Sequence, residues 1–230
     1  MKVAALWTGG KDSALACYKV MGKHNVKYLA TFIWDTPSRA HPFSIIKAQS
    51  EAVNIPFHWS KLRPPYDESY RADIFELKNE FGIEGVVTGD ISYVDTFHGN
   101  WIDEVCKGTG IEVIKPLWEH DRQSLLDDLL ANGFKMMFSC VKAPWMTESW
   151  LGKTLDCRSV KEMQELHRTK GLDLCGENGE YHTMVLDAPY FAKTIEVAHF
   201  DKEKTQNGYV MEPFDISLKP KRTSKKMDIC

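Results

Sequence analysis

The sequence predicts an α/β protein, a doubly wound parallel sheet joined to a smaller α+β C-terminal portion. Three observations carry that expectation. Short apolar runs alternate with helix-period stretches from the N-terminus to about residue 140. Several of these runs stop at polar or glycine-rich turns, where parallel sheets place ligands. Beyond about residue 145 the alternation breaks and a different pattern begins.

The elements follow in order. Residues 3–7 form a short buried strand, and a helix from about 11 to 21 starts directly after Thr8-Gly9-Gly10. Residues 28–34 are the next strand, ending beside Asp35. Helical spacing covers 43–53, and 57–59 is a short extended segment. Ile74, Leu77, Lys78 and Phe81 give 67–81 a helical period. Residues 85–88 form a buried strand that stops at Gly89-Asp90. A helix near 96–107 leads to a strand at 112–114 and a helix over 122–132, which Asp121 caps. A strand at 136–141 closes the parallel series. In the C-terminal portion a helix at 160–170 precedes a polar, glycine-containing loop, then strands at 184–186 and 194–198.

Composition narrows the class. The chain has 230 residues, 43% hydrophobic and 27% charged, as in an ordinary globular protein. No apolar run is long enough for a membrane span, and Thr8-Gly9-Gly10-Lys11 interrupts anything resembling a signal peptide, so a cytoplasmic location is expected. The 6 cysteines are scattered without a C-x-x-C pair, which predicts reduced, mostly buried thiols and argues against structural zinc or an iron–sulfur cluster. Net charge is −3, yet Lys219, Lys221, Arg222, Lys225 and Lys226 crowd the C-terminus. Residues 216–230 therefore read as a flexible basic tail, and the acidic remainder disfavours a broad nucleic-acid surface.

Thr8-Gly9-Gly10-Lys11-Asp12-Ser13 is the most informative segment. Strand, glycine turn and helix N-terminus together make a phosphate cradle: glycines present bare N–H groups and the helix dipole favours an anion. Lys11 adds a point charge and Ser13 a donor. The spacing is neither Walker A nor the dinucleotide G-x-G-x-x-G turn. Gly89-Asp90, at another expected strand end, should converge on the same cleft, and Trp34 is a candidate neighbour of an adenine. A second polar constellation, Gly176-Glu177-Asn178-Gly179-Glu180-Tyr181-His182-Thr183, mixes flexible positions with carboxylate, amide, phenol, imidazole and hydroxyl groups. His41 is a further loop candidate for substrate or phosphate.

The phosphate segment resembles the PP-loop of N-type ATP pyrophosphatases, with Thr8 in place of the usual serine. Together with Gly89-Asp90-Ile91, Val105-Cys106, Pro116-Leu117-Trp118 with Asp121, Leu151-Gly152-Lys153-Thr154-Leu155-Asp156 and the segment 175–183, the chain resembles the diphthine–ammonia ligase family. The resemblance runs through about residue 200. It implies a Rossmann-like fold of the adenine nucleotide alpha hydrolase kind, with an ATP-binding domain at 1–143 and a substrate-binding portion at 144–215. It also implies an activity: ATP adenylates a carboxylate with release of pyrophosphate, and free ammonia displaces AMP. Diphthine on elongation factor 2 is the implied acceptor.

Thr8, Gly9, Gly10, Lys11, Asp12, Ser13, Trp34, Gly89 and Asp90 are then expected around ATP, with Asp12 and Asp90 toward Mg²⁺. Lys11, Asp12, Ser13 and Glu180 are the catalytic candidates, Glu180 as proton acceptor for the attacking amine. Glu177, Asn178, Gly179, Glu180, Thr183 and His41 are expected at the substrate. Two alternatives stay open: a PP-loop enzyme that adenylates another small molecule or RNA, and a nucleotide-binding regulator without turnover. A homodimer is also left open. Segments 34–42 and 96–103 depart from the family pattern, so the acceptor is less defined than the ATP chemistry.

Overall fold

The computed structural model describes residues 1–34, 39–93 and 101–221. In chain order the elements are β1 (Lys2–Leu6), α1 (Lys11–Val20), β2 (Asn25–Ile33), α2 (Phe43–Val53), β3 (Phe57–Lys61), α3 (Tyr66–Phe81), β4 (Gly85–Val87) and α4 (Trp101–Cys106). They continue with β5 (Glu112–Ile114), α5 (Arg122–Ala131), β6 (Lys135–Lys142), α6 (Cys157–Lys170), β7 (Tyr181–Asp187), β8 (Lys193–Lys204) and β9 (Gly208–Pro220). Contacts divide the chain into two compact units.

The first unit comprises Met1–Thr8, Asp12–Ser38 and Ile55–Glu119. It holds a five-stranded sheet in the order β3-β2-β1-β4-β5, and every pairing is parallel. This is the doubly wound Rossmann-like arrangement that the alternation predicts. The order reverses between β1 and β4, the switch point where such sheets bind ligands. Val3, Ala4 and Ala5 in β1 and Val86 and Val87 in β4 are buried, as central parallel strands require. Tyr70, Ile74 and Leu77 form the inward stripe of α3 and join Ile83, Ile102, Val105 and Ile111 in one apolar cluster. Gly82, in the left-handed region at φ 65°, ends α3.

The second unit comprises Gly9–Lys11, Arg39–Asn54 and His120–Cys230. Its four-stranded sheet has the order β7-β6-β9-β8, and its pairings are antiparallel. Asp121 caps α5 by accepting from the Ser124 N–H at 2.8 Å, as expected. Asp156 and Ser159 form a reciprocal capping box on α6.

Three expectations change. The strand at 136–141 does not close the parallel sheet: it is β6, paired to β7 and β9. Its nearly continuous apolar run reflects burial, which a central antiparallel strand shares with a parallel one. The end of the chain is not flexible throughout, because residues 216–220 lie in β9. There Lys219 pairs with Glu196 at 3.5 Å, and the Lys221 ammonium donates to the carbonyls of Ala188 and Phe191. The rest of the expected tail lies outside the described residues, as do Asp35 and most of the 96–103 segment. Cys17, Cys106, Cys140 and Cys175 are free and buried as expected, whereas Cys157 is disulfide-bonded. Among the described residues no helix is long and apolar enough to cross a membrane.

Candidate active site

The division between the units falls inside the phosphate loop. In the first unit, Thr8 leaves β1 and its hydroxyl donates to Ser13 Oγ at 3.2 Å. Trp7 anchors this exit, donating its N–H to the Ala30 carbonyl at 2.7 Å and accepting at its own carbonyl from the Thr31 hydroxyl. Gly89 follows β4 and lies against the start of α1. A Cβ there would sit 2.7 Å from both the Asp12 carbonyl carbon and the Ser13 nitrogen. Asp90 follows Gly89 in the chain, and Asp12 and Asp90 are both half-buried. Two carboxylates beside a phosphate loop fit Mg²⁺, which takes one or two carboxylates and fills its remaining positions with phosphate oxygens and water. Trp34 is exposed at the end of β2 and meets Tyr66 edge-on at 4.7 Å.

In the second unit, Gly9 has φ 79°, and Gln49 of α2 closes over it. The Gln49 side-chain nitrogen donates to the carbonyls of Gly9 and Val185, each at 2.8 Å, and the Val185 N–H returns to the Gly9 carbonyl at 3.0 Å. A Cβ at Gly9 would meet Gln49 Oε1 at 2.6 Å, so this position requires glycine for both conformation and space. Gln49 is completely buried and was not singled out from sequence. Its signal was available: it shares the buried face of α2 with Ile45, Ile46, Ala52 and Val53, and a polar residue on such a face calls for partners.

Lys11 is where the two sequence motifs meet. Its N–H donates to Thr183 Oγ1 at 3.1 Å, its ammonium donates to the Cys175 carbonyl at 2.5 Å, and that ammonium lies 5.2 Å from the Tyr181 ring centroid. The lysine is only 3% exposed. The segment 173–183 is thus assembled around the phosphate-loop lysine, with Tyr181 held by its own hydroxyl on the Leu174 carbonyl at 2.6 Å.

Glu180 is turned toward its own loop. It is completely buried, and its oxygens accept from Asp173 N at 2.9 Å, Asn178 N at 3.0 Å and Asn178 Nδ2 at 3.1 Å. A carboxylate committed to its own loop is poorly placed to take a proton from an incoming amine. Glu180 instead holds the loop closed, helped by Asp173, whose Oδ1 accepts from Cys175 N at 2.8 Å. Asp173, like Gln49, was missed. Gly176 and Gly179 have positive φ, and a Cβ on Gly176 would meet the Tyr181 carbonyl oxygen at 2.9 Å. Glu177 is half-buried and Asn178 exposed.

His41 stacks edge-on against His182, with ring centroids 4.9 Å apart. Burial, reinforced by the positive charge of Lys11, lowers the His41 pKa to about 4. Burial again dominates at His182, followed by His41, Lys11 and Lys142, and lowers it to about 3. Both imidazoles are neutral near pH 7. Among the described residues His41 Nδ1 has no hydrogen-bond partner.

Family models match most of the chain. The diphthamide synthase N-terminal domain matches residues 1–113, and the diphthamide synthase C-terminal domain matches residues 121–213. The chain is 30% identical over 239 residues to the diphthine–ammonia ligase of Schizosaccharomyces pombe, covering 90% of this chain and 37% of that protein. It therefore spans about a third of that relative. Identity to the diphthine–ammonia ligase of Mus musculus is 29% over 231 residues, covering 86% of this chain and 83% of the relative. A solved structure titled a predicted subunit of tRNA methyltransferase from Methanocaldococcus jannaschii DSM covers 82% of this chain and 97% of that one. It does so at 16% identity and a TM-score of 0.47, a likeness too distant to carry weight.

Proposed function

We propose, for a chain that belongs to the diphthamide synthase family, an ATP-dependent amidation whose acceptor is diphthine on elongation factor 2. The supporting observation is Lys11, which belongs to the phosphate loop and touches Thr183 and Cys175 of the second motif. ATP activation and acceptor chemistry are then organised around one residue.

In this reading the acceptor carboxylate oxygen attacks the α-phosphorus, the bond to the β-phosphate bridging oxygen breaks, and pyrophosphate leaves. Ammonia then attacks the acyl carbon, loses a proton and expels AMP, leaving the amide. The chain supplies positioning and charge stabilisation, with no covalent nucleophile. The glycine amides at 9 and 10 and the Ser13 hydroxyl are donors for the phosphates. The Lys11 ammonium, parked on a neutral carbonyl, is the charge that follows the departing pyrophosphate. Asp12 and Asp90 would hold Mg²⁺, which supplies charge neutralisation on the phosphate oxygens. Gln49 fixes the Gly9 carbonyl, so the loop amides stay aimed without reorganising during the reaction. Glu177, Asn178 and Thr183 are the acceptor-side groups, and Glu180 keeps them in place. The C-terminal portion thereby serves the acceptor and the N-terminal portion serves ATP. An acceptor on elongation factor 2 places the reaction in the cytoplasm.

The test is incubation of the protein with ATP, Mg²⁺, ammonium and diphthine-bearing elongation factor 2, with AMP and pyrophosphate measured. AMP release that depends on both the factor and ammonium supports the reading. Factor-independent ATP hydrolysis to ADP overturns it.

A further inference from the structure

Beside the 176–183 loop the second unit opens a groove of about 730 Å³. Lys142 and Lys204 flank it, Trp145 and Tyr209 provide aromatic walls, and Asn178 and Asn207 offer amides. We infer that this groove is the docking site for a carboxylate-bearing segment of the polypeptide acceptor, held between the two lysines. The inference rests on the amidation reading and extends it to how the acceptor is recognised.

The groove is built from fixed parts. Lys142 ends β6 and its N–H donates to the Glu180 carbonyl at 2.8 Å, which ties the groove to the candidate loop. The Ala143 N–H donates to the Asn207 carbonyl at 3.1 Å, across to the turn between β8 and β9. At the start of β9, Gly208 presses against β6: a Cβ there would lie 2.0 Å from the Val141 carbonyl oxygen. No side chain fits at that position, so the turn is seated on the strand. Trp145 is held by its indole N–H on the Lys170 carbonyl at 3.1 Å. The walls are therefore preorganised.

Its charge is unbalanced. Among the described residues neither the Lys142 nor the Lys204 ammonium meets a carboxylate within ion-pair distance, whereas Lys153, Lys202 and Lys219 of the same unit do. Neighbouring acids are committed elsewhere: Glu180 to Asp173 and Asn178, and Glu203 to Arg39. The Lys142 ammonium lies 3.0 Å from where a Cβ on Gly179 would be, so it faces the loop that the proposed reaction uses. Two cations that line a groove with aromatic residues, and that have no ion pair among the described residues, suit a carboxylate on an apolar stem, and they attract an acidic partner over a distance of about 10 Å at 0.1 M salt. An RNA strand is the weaker fit, because it needs many phosphate contacts and this chain carries a net charge of −3.

The experiment uses the intact protein with single Lys142→Gln and Lys204→Ala variants and the double reversal Lys142→Glu/Lys204→Glu. Circular dichroism checks that each folds. Affinity for diphthine-bearing elongation factor 2 is measured by calorimetry at low and high salt, alongside affinity for a non-hydrolysable ATP analogue. We expect roughly three- to tenfold weaker factor binding for each single variant, more for the double, a flatter salt dependence, and unchanged nucleotide affinity. Unaltered factor affinity in a folded double variant overturns the groove while leaving the amidation reading intact. Binding of tRNA that the reversal abolishes, with factor binding unaffected, overturns it in favour of nucleic acid. Failure of the amidation reading itself is separate: it shows as ATP hydrolysis to ADP that needs no factor.

Discussion

The side-chain nitrogen of Gln49 sits 2.8 Å from the carbonyl oxygen of Gly9, so a buried helix residue fixes the turn that presents the phosphate-binding amides. The same nitrogen reaches the Val185 carbonyl, and one amide therefore ties α2 and β7 to the loop. Gln49→Leu would leave the Val185 carbonyl without this donor in a dry setting, which costs about 1–3 kcal/mol. Denaturant unfolding should show that loss, and ATP-analogue affinity should fall as the loop slackens. Gln49→Glu should be worse, since a carboxylate oxygen then faces two carbonyl oxygens. Wild-type stability and nucleotide affinity in Gln49→Leu would remove Gln49 from the loop's support.

Lys11→Ala should lower AMP formation by a factor of roughly 10² to 10³, the usual effect of deleting one donor to transition-state charge. Circular dichroism should be unchanged, because the substitution leaves the backbone bond from the residue 11 N–H to Thr183 in place. Quenched-flow measurement of AMP checks the chemical step directly. A variant that retains its rate would exclude the ammonium from that step.

Glu180→Gln separates a loop support from a general base. The substitution turns one acceptor oxygen into a donor facing the N–H groups of Asp173 or Asn178, so stability should fall by about 1–3 kcal/mol. The remaining activity should keep the wild-type shape of its pH–rate profile. A lost acidic limb in the variant would restore Glu180 as the proton acceptor.

Stability should fall between about pH 6.5 and pH 3 because of His41 and His182. Unfolding returns each imidazole to its ordinary value near 6.5. In the folded state the values are about 4 for His41 and about 3 for His182. Between those limits the unfolded chain binds more protons, so the unfolding free energy rises with pH, is fully present above 6.5, and is lost as pH falls through the folded values. Urea titrations from pH 4 to 8 measure the slope. His182→Phe should flatten it, and an unchanged slope would assign the acid sensitivity to other groups.

Gly89→Ala should disable the site without touching a reacting atom. Its Cβ would strike the backbone at Asp12 and Ser13, and backbone there can yield only by shifting the helix start. Nucleotide affinity should drop at least tenfold, about 1.4 kcal/mol. Wild-type affinity would mean that β4 tolerates the displacement.

Local patterns in the sequence carry far. The β1–glycine–α1 junction, the strand at 85–88, the Asp121 cap and the strand at 112–114 are all legible, because periodicity, glycine position and capping act over a few residues. The C-terminal sheet is less so. The β8–β9 ribbon is largely exposed along its length, so no apolar alternation announces it, and its basic end imitates a tail. In β6 the apolar run is correct but silent about direction, because burial on both faces gives parallel and antiparallel strands the same signature.

The sequence by itself determined the phosphate loop, the alternating β/α order and the polar 176–183 segment, each written in contiguous residues whose chemistry is local. Tertiary structure decided which groups serve them. Gln49 reaches a glycine 40 positions away, Thr183 meets Lys11 across 172 positions, and Glu180 turns inward to its own loop. These roles depend on which donors and acceptors burial leaves to be satisfied, and a buried amide or carboxylate finds its partners in space.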